Sequence, residues 1–443
     1  MQLKEEPRSF LVILGANDSG VVMLEVRCPI YGFIALDEWE REIISQPAFQ
    51  RLRRIRQLAW TDEVYPAAMH TRFEHSLGVM HMATALYDGV VQRCRDMLKG
   101  ELGYEDAGIT RHRRLVRLAA LLHDVGHAPF SHAGEELMPQ FEAEKRLYKH
   151  EDYSTAIIRS EFRDVIERHK SNVNNYNFRA DEIADLIEGK ATESGAALWQ
   201  DIISSQLDAD RMDYLLRDSY HAGVEYGRYD WRRIVATVEL VPDVESGSPR
   251  LGVSEQGRHA AEAMIIARYM MFNQVYFHKT RVAFDYHLQQ ALESMLPGDK
   301  FPAPDAKGLK DYLAWDDWHV LGELSNGRGG EHGKRLATRD FYRLVYETPE
   351  FPSDSDDAQL ERVAAALGNS LALRSEAGKS WYKLGDTDLP VAALNPGEKS
   401  RLLSQCSTIV GNMKPTRRTR LYVKAQDRAK ALSDIEAIRG KAA

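Results

Sequence analysis

Four side chains from three separate stretches, His75, the adjacent His123 and Asp124, and Asp210, combine two imidazoles with two carboxylates. That mixed nitrogen and oxygen set suits Mn, Fe, Co, Ni or Zn, and Mg less typically; four protein ligands leave room for water and a phosphate oxygen. Neighbours on a helix point about 100° apart and an unpaired buried carboxylate is costly, so His123 and Asp124 cannot both be core filling. A ligand pair explains them better than a capped, solvated helix end. A phosphate ester resists water because negative charge repels the nucleophile and the departing oxygen needs a proton. A metal held here would lower the pKa of a water and polarise phosphorus. Histidines carry protons near neutral pH, and His127, His132 and His150 lie close by in sequence.

Several elements must position these groups. Leu115, Leu118, Ala119 and Leu122 fall at helical spacing, which predicts a buried helix delivering His123 and Asp124 at its C-terminal end, where Gly126 and Pro129 stop it. Arg179–Lys190 sets Ala180, Ile183, Ala184 and Ile187 on one face. The pattern is helical almost throughout from Asp37 to about Leu296, with Glu255–Leu296 reading as one long or broken helix. Phe10–Leu14 and Val21–Val26 alternate around a turn and predict a β-hairpin. Beyond a Pro/Gly-rich connection at 297–310, Ser325–Lys334 reads as a loop, followed by a helix near Asp357–Leu367 and strands around Ser407–Val410 and Arg420–Lys424. The expected fold is therefore mainly α: an N-terminal hairpin and lead-in over 1–36, a helical catalytic core over 37–296, and a smaller α+β lobe over 297–443. Asn326–Arg335 mimics a phosphate loop, but Arg328 and Arg335 stand where glycine and Ser/Thr are required.

Composition narrows the setting. Hydrophobic content of 44% supports a large core. Cys28, Cys94 and Cys406 lie far apart without a CxxC, so neither a disulfide framework nor a zinc ribbon is indicated. No apolar run approaches a membrane span, and the start MQLKEEPRSF lacks the basic-then-apolar order of a signal peptide, so a cytoplasmic location is expected. A net charge of −8 argues against a generally basic nucleic-acid-coating surface. Local basic clusters remain, at Arg51–Arg56, Arg111–Arg117 and Lys414–Lys424, each by default a solvated face.

Three long motifs occur in order: HTRFEHSLG (His70–Gly78), LLHDVGHAPFSH (Leu121–His132) and LDADRMDYLLRDSYHAG (Leu207–Gly223). They resemble the HD-domain deoxynucleoside triphosphate triphosphohydrolases, the family of bacterial dGTPases and the sterile-alpha-motif-linked vertebrate enzyme. The resemblance runs from about Cys28 to Lys279 and fades beyond 300 to scattered matches such as Arg339–Tyr346. It implies an HD-domain helical core with one divalent ion (Mn, Fe, Mg, Ni, Co or Zn) on His75, His123, Asp124 and Asp210. It places His127, His132 and His150 at the family's catalytic histidine positions, with His132 as proton donor to the leaving 5′ oxygen. Glu135 stands as their acidic partner, where the best-known member has Asp. Arg72, Arg211 and Arg268 align with phosphate-binding positions, Arg211 replacing a lysine used in some members. Tyr214 resembles the aromatic that packs on deoxyribose and crowds out a 2′-hydroxyl, Gln57 and Asp218 match groups that bond the 3′-hydroxyl, and Tyr276 falls beside the base.

The same resemblance sets Gln50 and Arg53 in a regulatory nucleotide pocket. Its acid is replaced by Ser45, which removes the acceptor for guanine N1 and N2 hydrogens, and the histidine of the usual PIHG run is Tyr31. The implied activity is hydrolysis of deoxynucleoside triphosphates to deoxynucleoside and tripolyphosphate by attack at the α-phosphorus. A nucleotide effector and a homo-oligomer, dimer or tetramer, belong to the same expectation. Two other classes stay open: an HD-type phosphodiesterase or nucleotidase with a second metal on His127, His132 and His150, and a non-catalytic nucleotide sensor or single-strand-binding module resting on the basic clusters.

Overall fold

The chain is described by a computed structural model over residues 15–16, 22–191, 195–244, 247–379, 382, 388–395 and 398–440, and helices dominate it. At its centre lies the helix Arg72–Gly100, whose first turn is capped by Glu74 reaching back to the Thr71 amide. Against it pack Asp106–Leu122, Ala209–Ala222 and Trp231–Thr237. Asp106–Leu122 buries Leu115, Leu118, Ala119 and Leu122 as its spacing predicted, and ends at His123. Ala209–Ala222 starts where the Asp208 carboxylate accepts the Arg211 amide and stops at Gly223, whose φ of 70° suits glycine. A second pair, His150–Ser160 and Ala180–Glu188, packs alongside. The segments that carry His75, His123 and Asp210 thus meet where Asp106–Leu122 and Ala209–Ala222 pack on Arg72–Gly100.

The expected first strand Phe10–Leu14 lies outside the described residues. The described N-terminal strands form a three-stranded antiparallel sheet in which Val22–Cys28 sits between Gly15–Ala16 and Gly32–Leu36. Helix is not continuous to Leu296. Val238–Pro242 pairs antiparallel with Pro249–Val253, and Pro390–Val391 and Arg401–Leu402 extend that hairpin to four strands. All four runs are short and three carry proline, which hides the strand alternation, yet a proline at the first residue of a strand (Pro249, Pro390) or on an edge strand (Pro242) is compatible with a sheet. Gln140–Phe141 and Arg146–Leu147 form a second small hairpin. Glu255–Leu296 is broken, by a π-helical turn at Phe272–Tyr276 between the helices Arg258–Met271 and Lys279–Met295.

The C-terminal third divides between two cores. The large core runs past Leu296 to Phe301, Tyr312, Val320 and Leu336. A separate cluster, with Tyr346, Leu360, Val363, Leu421 and Ile435, lies where the sheet Arg343–Glu347, Thr416–Val423 and Leu371–Lys379 meets the helices Asp354–Leu367 and Arg428–Gly440. Two expectations fail here. The loop Ser325–Lys334 gives way to the helix Gly330–Thr338, which packs on Lys279–Met295 after Gly329 and Gly330 turn through φ of 87° and 60°. The strand at Ser407–Val410 is instead helical, because the Ser407 hydroxyl accepts the Val410 amide and caps the turn Thr408–Gly411. Among the described residues no helix is long and apolar enough to cross a membrane.

Acids neutralise much of the basic clusters. Arg54 and Arg56 pair with Asp316 and Asp62, Arg111 with Glu182, Arg113 with Asp88, Arg114 and Arg117 with Glu40, and Arg417, Arg418 and Arg420 with Asp357, Glu350 and Glu347.

Candidate metal centre

His75 comes from the first turn of Arg72–Gly100, His123 caps the next helix, and Asp210 opens Ala209–Ala222; their ligand atoms lie within 4.8 Å of one another. His75 Nε2 is 3.0 Å from Asp210 Oδ1 and 3.5 Å from Asp124 Oδ2. His123 Nε2 is 3.2 Å from Asp124 Oδ1 and 3.7 Å from Asp210 Oδ1. Each ring is turned by its other nitrogen: His75 Nδ1 lies 2.8 Å from Asp213 and His123 Nδ1 2.8 Å from the Ala120 carbonyl. Both Nε2 atoms therefore face inward, and although both are buried neither makes a well-aligned hydrogen bond to the carboxylates beside it. An orphaned buried polar atom costs about 1–3 kcal/mol. The donor set fits a divalent ion that would satisfy both.

The electrostatics agree. Burial pushes the Asp124 carboxyl up, but Arg72, His123 and His127 outweigh it and hold it well below the usual range. Burial likewise acts on Asp210 and is overcome by His123 and His75. The carboxylates in turn overcome the burial of His75 and lift it to about 10. A ligating imidazole must give up its second proton, so loading Mn²⁺ at neutral pH is expected to release protons. Calorimetric heats that do not change with the ionisation enthalpy of the buffer would count against this.

A buried carboxylate backs the first histidine. Asp213 takes two bonds from Arg217, at 2.8 Å each, and one from the Tyr31 hydroxyl at 2.8 Å, besides facing His75. Such a partner fixes the orientation of a ligating imidazole and raises its basicity. Tyr31 thereby serves Asp213 from the position where PIHG has histidine. Close packing here requires Gly78: a Cβ would meet Asp213 Oδ1 at 2.0 Å and Arg217 Nη2 at 2.2 Å.

A second group adjoins the first. His127, His132, Glu135 and His150 also bring ligand atoms within 4.8 Å of one another. Glu135 Oε1 lies 2.6 Å from His150 Nδ1, 3.1 Å from His132 Nδ1 and 3.5 Å from His127 Nδ1. His127 stacks on His150 at 3.8 Å, and its Nε2 is 3.3 Å from Asp124 Oδ1, so Asp124 touches both groups. Burial, with Arg72 and His150, drives His127 well below its usual pKa and keeps it neutral. Burial also opposes charge on His150, but Glu135 and Glu151 overcome it and raise it to about 9. Burial pushes Glu135 up, and His132 and His150 pull it far below the usual range. His132, with a side chain 61% exposed, stands at the mouth.

Around these groups the remaining candidates take defined places. Arg72 donates to Asp124 at 2.5 Å and to Ser131 Oγ at 2.8 Å. Arg211 is held by the Asp208 carboxylate and the Ser205 carbonyl, and Arg268 lies 3.5 Å from Gln206 Oε1. Asp218 is bonded on one oxygen by His70 and on the other by the Tyr276 hydroxyl, each at 2.7 Å. Tyr276 meets Tyr214 edge to face at 6.0 Å. Gln57 is buried with its Oε1 unpartnered, and its backbone N–H donates to the His70 carbonyl. Gln50 and Arg53 bond each other at 2.9 Å, Arg53 lies over the Phe73 ring, and Ser45 turns back onto the Arg41 carbonyl. Asp213, Arg217, His70 and Ser131 escaped the sequence reading. The i, i+4 spacing of Asp213 and Arg217 on the Asp210 helix was the available signal.

Residues 72–218 match the HD domain and residues 229–373 the HD associated region. The chain is 30% identical over 418 residues to the uncharacterized protein YwfO of Bacillus subtilis, covering 88% of this chain and 89% of that protein. It is 30% identical over 387 residues to the deoxynucleoside triphosphate triphosphohydrolase SAMHD1 of Gallus gallus, covering 77% of this chain and 59% of that one. A crystal structure of a hypothetical protein from Aquifex aeolicus matches with a TM-score of 0.76 at 29% identity, over 93% of this chain and 100% of its own. The chain spans about half the length of several other curated relatives that it matches. The HD match contains His75, His123, Asp124 and Asp210, and YwfO aligns almost end to end, so the chain belongs to the HD-domain family.

Proposed function

We propose that the chain hydrolyses deoxynucleoside triphosphates to deoxynucleoside and tripolyphosphate, with attack at the α-phosphorus. The observation that carries the reading is the sharing of Asp124 between the inward-facing histidine pair and the His127, His132, Glu135 and His150 group. One divalent ion on His75, His123, Asp124 and Asp210, whether Mn, Fe, Mg, Ni, Co or Zn, would supply an activated water and neutralise phosphate charge. The chain's own residues do the rest. Arg72, Arg211 and Arg268 hold the triphosphate oxygens. His132 gives a proton to the leaving 5′ oxygen while Glu135, ionised beside it, stabilises the imidazolium; His150 stays charged and His127 neutral between them. Gln57 and Asp218 take the 3′-hydroxyl, Tyr214 covers the sugar and Tyr276 the base. The likeness to the deoxynucleoside triphosphate triphosphohydrolase of Gallus gallus supports this substrate class.

A nucleotide effector at Gln50 and Arg53, assembly as a dimer or tetramer, and a cytoplasmic location complete the proposal. The neutralised basic clusters favour it over a nucleic-acid-binding sensor. The phosphodiesterase or nucleotidase reading draws on one observation, that the second group also has metal-ligand spacing. Purified protein with Mn²⁺ or Mg²⁺ and each dNTP alone, then all four together, is expected to yield deoxynucleoside and tripolyphosphate. Monophosphate with pyrophosphate, or two tightly bound ions per chain, would shift the assignment to the second reading. Tyr214→Ala is expected to raise the ribo-to-deoxy turnover ratio about tenfold, since a pocket rejects an added hydroxyl by crowding alone only modestly. An unchanged ratio would remove Tyr214 from sugar selection.

A further inference from the structure

We propose that Asp317, on a segment remote from every metal-ligand candidate in sequence, is a positioning residue for the metal centre: its carboxylate fixes the Phe130–Ser131 turn that seats Arg72 against Asp124. The inference rests on the proposed assignment of Asp124 as a ligand.

Asp317 is 1% exposed and opens the helix Asp317–Ser325. Its Oδ1 accepts the Phe130 amide at 2.7 Å and its Oδ2 the Arg56 amide at 2.8 Å. The two residues before it grip the same stretch. The Asp316 carboxylate takes Arg54 Nε at 2.5 Å, and the Trp315 carbonyl takes Arg51 Nε at 2.9 Å. Of these bonds, only those of Asp317 also reach the loop between His127 and His132.

That loop needs holding. Phe130 and Ser131 are both left-handed, with φ of 57° and 58°, a conformation that costs a non-glycine residue about 1–3 kcal/mol and persists only where the surroundings over-determine it. The buried Phe130 ring stacks on Trp60 at 4.9 Å. The Ser131 hydroxyl donates to the Arg56 carbonyl at 2.6 Å and accepts from Arg72 Nε at 2.8 Å. Asp317 therefore binds the N–H of the residue whose carbonyl anchors Ser131, and at the same time the amide just before Ser131. From Ser131 the connection passes through Arg72 to Asp124 at 2.5 Å. Two converging amides call for two acceptor oxygens on one short side chain, which aspartate supplies and asparagine does not. Burial pushes the Asp317 carboxyl up to about 7, against the two amides and the nearby Arg56 and Arg51. A group kept at that cost in so dry a place marks a demand of geometry.

The test uses the full chain, stripped of metal, in four forms: wild type, Asp317→Asn, Ser131→Ala and the double variant. Mn²⁺ affinity is read by calorimetry and the Phe130 amide by hydrogen exchange. Asp317→Asn is expected to speed exchange at Phe130 and weaken Mn²⁺ about tenfold, the size of effect typical of groups that orient ligands. Ser131→Ala should weaken Mn²⁺ as well. The double variant should be little worse than the weaker single, because both act through one loop. Losses that multiply, or an Mn²⁺ affinity in Asp317→Asn within twofold of wild type, would overturn the inference. Should Asp317→Asn fail to fold, Asp317→Glu keeps both acceptors but displaces them; weaker Mn²⁺ binding with Phe130 still protected supports the role, and wild-type affinity overturns it. Asp124→Asn is the control: unchanged affinity there would remove the metal assignment itself, whereas weakened affinity there with none in Asp317→Asn removes the positioning role alone.

Discussion

Turnover by Asp210→Asn is expected to fall about a thousandfold, equivalent to about 4 kcal/mol of transition-state stabilisation, with little change in melting temperature. Asp210 is the candidate ligand least committed to the fold: its side chain is 36% exposed, and its carboxylate faces His75 and His123 at the mouth of the group. Asparagine keeps the volume and one oxygen but removes the charge on which a cation depends. The structural cost is small because Asp210 is the most exposed of the candidate ligands, and its neutralisation also relieves repulsion on Asp208 at the helix N-cap. Steady-state kinetics, Mn²⁺ titration and thermal melting on one preparation check all three statements. Wild-type turnover with wild-type Mn²⁺ affinity would refute Asp210 as a ligand.

Asp213→Ala should behave in the opposite way, damaging fold and site together. It strips the partner from Arg217, whose side chain is fully buried, and breaking such a pair costs about 3–5 kcal/mol because a charge is left uncompensated. It also frees the His75 ring, for which a loss of about 10–100-fold in metal affinity is expected. The pH dependence follows from the direction of the shift. Burial pushes Asp213 up, but Arg217 and His75 hold it at about 2, below its ordinary 3.8. A depressed carboxyl stabilises the fold above the unfolded value and loses that contribution as pH falls through the folded one. The gap in stability between wild type and variant should thus be full at neutral pH and close between about pH 4 and 2. Denaturation at several pH values measures it, and a gap independent of pH would contradict the assignment. The double variant Asp213→Leu with Arg217→Met should regain stability without regaining metal affinity, since apolar replacement of a whole buried pair is often tolerated.

Why some of this was legible in the residues and some was not has a physical basis. His75, His123 and Asp210 stood out because ligation restricts residue type, and each sits at a helix end or first turn that apolar spacing locates. The helix before His123 was plain for the same reason, Leu115, Leu118, Ala119 and Leu122 being periodic. Asp213 and Arg217 were passed over because an i, i+4 ion pair usually lies on a solvated face, and nothing local says that this face is turned inward. The Val238–Val253 hairpin was hidden by prolines and short runs, and Ser407–Val410 read as a strand from β-branched residues before a hydroxyl cap decided otherwise. Asp317 gives no local signal at all. In sequence it is an acid beside a helix cap, and its role arises from a contact across 187 positions with Phe130.

That long-range contact bears on how the chain is made. A ribosome adds about 5–20 residues each second, so several seconds pass between the emergence of Asp210 and that of Asp317. During that interval the nascent chain already carries every candidate metal ligand, but the turn at Phe130 and Ser131 lacks the carboxylate that bonds it. On that proposal the candidate metal centre is completed from the HD associated region, after the segment that holds its candidate ligands has emerged.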